Sequence, residues 1–198
     1  MKSICVYCGS SFGNQPGYAE AARALAGAMA ERNLALVYGG GNVGLMGVIA
    51  NEMLRLGGTV TGVIPQALMD KEVGHRGLTH THVVKDMHER KAMMATLADG
   101  FIAMPGGIGT LEELFEMLTW SQLDFHRKPI GVLNVDGFYA GLIGFLQHLV
   151  DTGFVKADQA ALMMHEAEPD ALLNRLQNWI PQKSTKLRDA LAAQALFP

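Results

Sequence analysis

Cysteine is nearly absent from this chain: Cys5 and Cys8 are the only two among 198 residues. They form a C-x-x-C, but a zinc site needs two further ligands and there is no third cysteine to supply one. A thioredoxin-type pair opens a helix, whereas here Gly9-Ser10-Ser11-Phe12-Gly13 intervenes before helical periodicity begins. Residues three apart on a strand face opposite sides, so the pair reads as two reduced thiols near a strand end. Long apolar runs are missing as well, and none approaches the roughly 18 residues of a membrane span. The apolar stretch at the N-terminus is too short for a signal peptide and leads straight into a strand-like pattern, so a cytoplasmic protein without a membrane partner is expected. Excess positive charge is also lacking. The net charge of −3 leaves no electrostatic footprint for nucleic acid. Linkers, internal repeats and low-complexity tracts are not seen, so residues 1–198 read as one domain, with a terminal helical tail over 181–198.

What the chain has is apolar content, 49% against 18% charged residues, enough for a compact α/β domain with a substantial core. Its pattern alternates. Strands are expected at 3–8, 34–38, 59–64, 78–84, 100–104, 129–135 and 161–165. Between them lie helical segments near 19–33, 44–56, 86–98, 111–122 and 137–150, then 168–180 and a last helix over 187–196. Such alternation specifies a doubly wound, mostly parallel sheet with helices on both faces. Ligands in these folds lie beyond the C-terminal ends of the strands. Ser10, the loop Gly39–Gly44 (with Gly40 and Gly41) and the loop Gly106–Thr110 all fall there and are expected to converge on one crevice.

The stretch Met104-Pro105-Gly106-Gly107-Ile108-Gly109-Thr110-Leu111-Glu112-Glu113 is the most informative. It joins a buried strand to a helix with apolar residues at 111, 114, 115 and 118. Glycines at such a corner let the backbone approach a ligand, and free N–H groups at the positive end of the helix dipole receive an anion. Glu112, Glu113 and Glu116 are unusual neighbours for a bound phosphate and point to chemistry unless they face elsewhere. The structural alternative is a capping box, Thr110 as N-cap and Glu113 reaching back. Glu113 lies opposite the apolar face, flanked by Met117 and Trp120, so another element or subunit is expected to cover it.

Other motifs weigh less. Gly39-x-Gly41-x-x-Gly44 matches the dinucleotide fingerprint, but no carboxylate stands about 20 residues on to hold a ribose, so the dinucleotide reading fails. In the helix at 86–98, Met87, Arg90, Met94 and Leu97 share one stripe, which puts Arg90 on an otherwise apolar face. That arginine is either a snorkelling surface residue or a guanidinium held in a pocket for phosphate or base. Lys91 is expected to face solvent. His80 and His82 share a strand face without a third ligand, and read as edge-strand histidines rather than a metal site.

Met87-His88-Glu89-Arg90-Lys91 followed by Pro105-Gly106-Gly107-x-Gly109-Thr110-x-x-Glu113 resembles the signature of the LONELY GUY (LOG) family. The likeness runs from Cys8-Gly9-Ser10-Ser11 to about residue 180, with Ile108 where relatives often carry Tyr. The resemblance implies a Rossmann-like fold, a homodimer, and hydrolysis of cytokinin-type or adenine nucleoside 5′-monophosphates to free base and ribose 5-phosphate, with no metal or cofactor. It implies that Arg90 and Glu113 are the catalytic pair. Glu72, Lys91, Gly107, Ile108, Gly109, Thr110, Leu111, Glu112 and Thr119 would bind substrate. A non-catalytic nucleotide or cofactor carrier of the same fold is the alternative. Lysine decarboxylation, an older label for such sequences, lacks a visible pyridoxal-phosphate lysine context.

Overall fold

A computed structural model describes residues 1–71 and 74–181. Glu72 and the helix expected over 187–196 lie outside the described residues. Among the described residues, seven strands form one parallel sheet: β1 (Ser3–Tyr7), β2 (Ala35–Tyr38), β3 (Val60–Pro65), β4 (His80–Val84), β5 (Gly100–Ala103), β6 (Ile130–Leu133) and β7 (Met163–Glu166). Their spatial order is β4-β3-β2-β1-β5-β6-β7. The helices are α1 (Pro16–Glu31), α2 (Gly44–Arg55), α3 (Gln66–Met69), α4 (Met87–Leu97), α5 (Ile108–Gln122), α6 (Ala140–Asp151), α7 (Ala157–Ala160) and α8 (Pro169–Gln177). The doubly wound α/β architecture is the one expected. Single-turn α3 and α7 carry too few residues to leave a periodic signal. Ahead of α6, a 3₁₀ turn at Val135–Gly137 takes up the start of the helix expected from 137.

Strand alternation sorts the core into two layers. Ile4 and Val6 of β1 pack with Leu25, Met29, Ile49 and Met53 of α1 and α2, and with Leu172 and Leu173 of α8. Cys5 and Tyr7 point the other way, toward Met94 of α4, Leu114 and Met117 of α5 and Leu146 of α6. Each such apolar side chain removed from water contributes about 1.5–3 kcal/mol, so both faces hold their helices firmly. Cys8 falls in the first layer and Cys5 in the second, both buried and free, which is the opposite-face placement that period two requires. Helix α1 opens with Pro16 in its first turn, where the missing N–H costs nothing, and the chain beyond it turns at Asn33 with φ 53°. Edge strand β4 leaves His80 and His82 exposed, in keeping with their edge-strand reading.

Strand order reverses between β1 and β5, and this sets where a ligand fits. The chain winds outward from β1 through β4, then returns to lay β5 on the other side of β1. Loops leaving β1 and β5 therefore diverge to opposite faces and open a crevice at their C-terminal ends. Gly9 ties that crevice together: its N–H donates to the Pro105 carbonyl at 3.0 Å. Its carbonyl accepts from Leu45 N–H at 3.0 Å and from Met46 N–H at 3.4 Å.

Candidate active site

The two glycine-rich loops end up chemically different. At the start of α2, the first-turn donors of Leu45 and Met46 are occupied by the Gly9 carbonyl. Gly44 takes φ +57° and lies so close to the Ser10 backbone that any side chain would collide. That loop is a structural joint. Helix α5 behaves otherwise. Its N-cap is Gly107, which has no side chain to cap with, and the first helical bond is Leu111 N–H to the Gly107 carbonyl at 3.1 Å. The N–H groups of Ile108, Gly109 and Thr110 have no partner within the helix. A Cβ built on Gly107 or Gly109 would meet nothing within 4 Å. The corner thus presents open donors on open space, the arrangement an anion takes at a helix N-terminus.

The structural alternative, a capping box at Thr110 and Glu113, is not formed. The helix begins two residues earlier than Thr110, because extended Gly107 already serves as its N-cap. Thr110 instead crowds over Gly106, where a Cβ would overlap its side chain. A cap of this type stands at α4: Asp86 Oδ1 accepts from Glu89 N–H at 2.9 Å, and Glu89 Oε2 accepts from Lys85 N–H at 2.8 Å. The acid-x-x-Glu spacing at 86–89 was available in the sequence. Fixing the start of α4 puts Arg90 one turn in, over the sheet.

Arg90 is buried, 8% exposed, and does not snorkel. Its Nε donates to the Val63 carbonyl at 3.2 Å and its Nη2 to the Gly39 carbonyl at 3.3 Å. A Cβ on Gly39 would occupy the place of Nη2, so only glycine there admits the guanidinium. The remaining nitrogen, Nη1, lies 3.4 Å from Glu113 Oε1. Glu113 is likewise 8% exposed, with Arg90 of α4 beside it. Burial pushes its carboxyl up to about 7; Arg90 and Lys91 pull against that, while Glu112 and Glu116 add to it. A carboxyl poised near neutrality and held beside a fixed cation is equipped to change its charge during a reaction.

These groups line one cavity of about 670 Å³. Gly9 and Ser10, Gly39 and Gly41, Arg90, and the run Gly107, Ile108, Gly109, Thr110, Glu112 and Glu113 all face it. The three loops expected to converge do so. Gly40 and Gly106 stand just behind the wall, Gly40 with its carbonyl accepting from His75 N–H at 2.9 Å. Leu111 turns into the core layer of α4 and α5. Thr119 is exposed, bonded to the Phe115 carbonyl at 2.8 Å, and sits nine residues beyond Thr110, roughly 13 Å down the helix. Glu72 is outside the described residues.

Lys91 corrects the expectation of a solvent-facing residue: it is 6% exposed, and its Nζ is held by Glu112 and, at 3.1 Å, by Glu116. Stripe logic alone missed this because α5 brings two carboxylates over a face that α4 by itself leaves open. Met87 and Leu97, the ends of the apolar stripe, stay exposed at 43% and 38%. Two residues to which the sequence reading gave no role, Gly9 and His75, also shape the site, while Glu116, singled out as unusual beside a phosphate, turns to Lys91. His75 Nδ1 accepts from Gly77 N–H at 3.0 Å, which leaves its Nε2 to donate to Asn51 Oδ1 at 3.0 Å.

Comparison with known proteins narrows what this arrangement is. A family model described as "Possible lysine decarboxylase" matches residues 46–176. None of the described residues lining the cavity is a lysine. Burial works against the charge on Lys91, but its two carboxylate partners outweigh that and raise its pKa, the opposite of what a Schiff-base lysine needs. The chain is 47% identical over 182 residues to cytokinin riboside 5′-monophosphate phosphoribohydrolase LOG7 of Arabidopsis thaliana, covering 92% of this chain and 84% of that one. It is 45% identical to the LOG protein of the same name from Oryza sativa subsp. japonica, over 92% of this chain and 75% of the relative. The molybdenum cofactor carrier protein of Chlamydomonas reinhardtii superposes with a TM-score of 0.68 at 21% identity, over 90% of this chain and 99% of that one. At that identity the superposition speaks for a shared fold alone. With the family model spanning two thirds of it and relatives this similar along nine-tenths of its length, the chain belongs to the LONELY GUY (LOG) family.

Proposed function

We propose that this protein hydrolyses the N-glycosidic bond of purine nucleoside 5′-monophosphates, releasing the free base and ribose 5-phosphate. The observation that carries the reading is the pairing, in one cavity, of an uncapped helix N-terminus with a buried Arg90–Glu113 pair one to two turns along. The names of the relatives point to the same substrate class. A 5′-phosphate bound to the N–H groups of Ile108, Gly109 and Thr110 leaves the sugar reaching down α5. Glu113 is six residues past Gly107, roughly 9 Å along the axis, and helical side chains lean back toward the N-terminus. Its carboxylate then stands near the anomeric carbon.

In the reaction, water oxygen bonds to C1′ as the C1′–N bond breaks and the base leaves with the bonding pair and a proton. Ionised Glu113 stabilises the positive charge that develops on the sugar or takes a proton from the water, the work carboxylates do in glycoside hydrolysis. Arg90 holds Glu113 in place and offers Nη1 to the departing base or the phosphate. Binding energy from the phosphate, remote from the bond broken, orients C1′ against the carboxylate.

A panel of 5′-monophosphates, nucleosides and di- or triphosphates, scored by chromatography for released base, tests this directly. Release from AMP or an N6-prenylated AMP, but not from adenosine, is expected; binding without release would favour a carrier. We also propose a homodimer, supported by apolar side chains left exposed at Met87, Leu97, Leu123 and Phe125, with light scattering as the check. A cytoplasmic location is proposed on the strength of the two free thiols, Cys5 and Cys8.

A further inference from the structure

The reading of Glu113 as the reacting carboxylate raises a question about the charges packed around it. From α4 come Arg90 and Lys91; from α5 come Glu112 and Glu116; from β1 come the Cys5 thiol and the Tyr7 hydroxyl, and from the residue after it the Cys8 thiol. Burial pushes these last three groups up, so they stay neutral. Two cations therefore face three carboxylates. Glu112 and Glu116 are one turn apart on α5, and both bind the same buried ammonium of Lys91. Glu116 uses Oε1 for that contact, while its Oε2 is buried without a hydrogen-bond partner. With no donor on that second oxygen, the pairing with Lys91 is what balances its charge.

Resting on the proposed hydrolysis, we propose that Glu116 is a positioning residue for Glu113: together with Glu112 it clamps Lys91, docks α4 on α5 so that Arg90 meets Glu113, and sets the charge that Glu113 experiences. The clamp fits the fold's geometry. Lys91 directly follows Arg90 on α4, and Glu116 follows Glu113 by three residues on α5, so the clamp lies beside the catalytic pair and joins the same two helices.

The electrostatic part of this role separates from a merely structural one. Glu116→Gln and Lys91→Met both break the Lys91–Glu116 ion pair. If the pair only braces the helices, the two variants change activity in the same direction and leave its pH profile in place. If it sets the field at Glu113, their effects on the profile are opposite. Removing the Glu116 charge makes Glu113 easier to ionise, so the rising limb of rate against pH moves to lower pH. Removing the Lys91 charge moves that limb to higher pH. A unit charge one helical turn away, about 6 Å, shifts a neighbour by about two pH units at an effective dielectric near 20.

The experiment measures kcat for base release from AMP between pH 5 and 9 for the wild type, Glu116→Gln, Lys91→Met and the milder Lys91→Gln. In parallel, the Glu113 carboxyl is titrated by carbon NMR with ¹³C-labelled glutamate, using Glu113→Gln to assign the signal. Opposite displacements in both readouts support the role; displacements in one direction, or none, overturn it. Should the wild type release no base, the hydrolase reading falls, while the NMR titration still decides the clamp. Gln at 116 retains a carbonyl for Lys91, so that variant is expected to fold even where Lys91→Met does not.

Discussion

Replacing Glu113 by glutamine separates the chemical role of that carboxyl from its cost to the fold. The side chain is 8% exposed and its carboxyl is pushed up to about 7 from 4.5, mainly by burial. A carboxyl raised in the folded state binds more protons there than in the unfolded chain. Stability is therefore fully present below pH 4.5 and declines as pH rises through 7. At about 1.4 kcal/mol per unit, the wild type loses roughly 2.5 kcal/mol between pH 5 and 8 on account of this group. Glu113→Gln has no such proton to lose. Urea unfolding of both proteins at pH 5 and pH 8 is thus expected to give a pH-dependence flatter by about that amount in the variant. Base release from AMP should fall by about 10²–10⁴-fold in the same variant, while nucleotide binding, measured by calorimetry, persists because the α5 donors are untouched. Parallel stability curves would refute the buried, perturbed carboxyl, and undiminished base release would refute its catalytic role.

Glycine substitutions probe the other half of the site. Gly39→Ala is expected to displace the Arg90 guanidinium, costing about 1–3 kcal/mol of stability and reproducing the slow turnover of Arg90→Ala, at least about 10²-fold down. Gly109→Ala, whose Cβ enters open space, should leave the melting temperature unchanged or slightly raised yet increase KM for AMP several-fold. If Gly109→Ala leaves KM unaltered, the phosphate does not sit on α5. His75, which burial shifts down from 6.5, must stay neutral to accept from Gly77 N–H; its contribution is intact above pH 6.5 and lost as pH falls below it. Thermal melts of His75→Asn across pH 5–8 should lack that acid-side decline.

How far the chain could be read without its structure follows from the range over which each signal acts. The continuous apolar runs of β1, β2, β5 and β6 and the i, i+3, i+4 face of α5 are local, because burying each element's apolar surface is a requirement its own residues must meet. They fixed the α/β class and put three loops at the strands' C-terminal ends. The family signature singled out Arg90 and Glu113. Which glycine loop offers free donors was not local. It depends on the Gly9 carbonyl, contributed by the loop after β1 some 35 positions upstream, satisfying α2 and leaving α5 open. Thr110-x-x-Glu113 matched a capping box because pattern alone could not tell that Gly107 had already started the helix. Lys91 was assigned to solvent because the carboxylates that bury it belong to another helix. Sequence determines what each segment must hide and where a ligand must lie. Tertiary structure decides which polar groups are already partnered, since hydrogen bonds and ion pairs between distant segments are made only when packing brings both ends together.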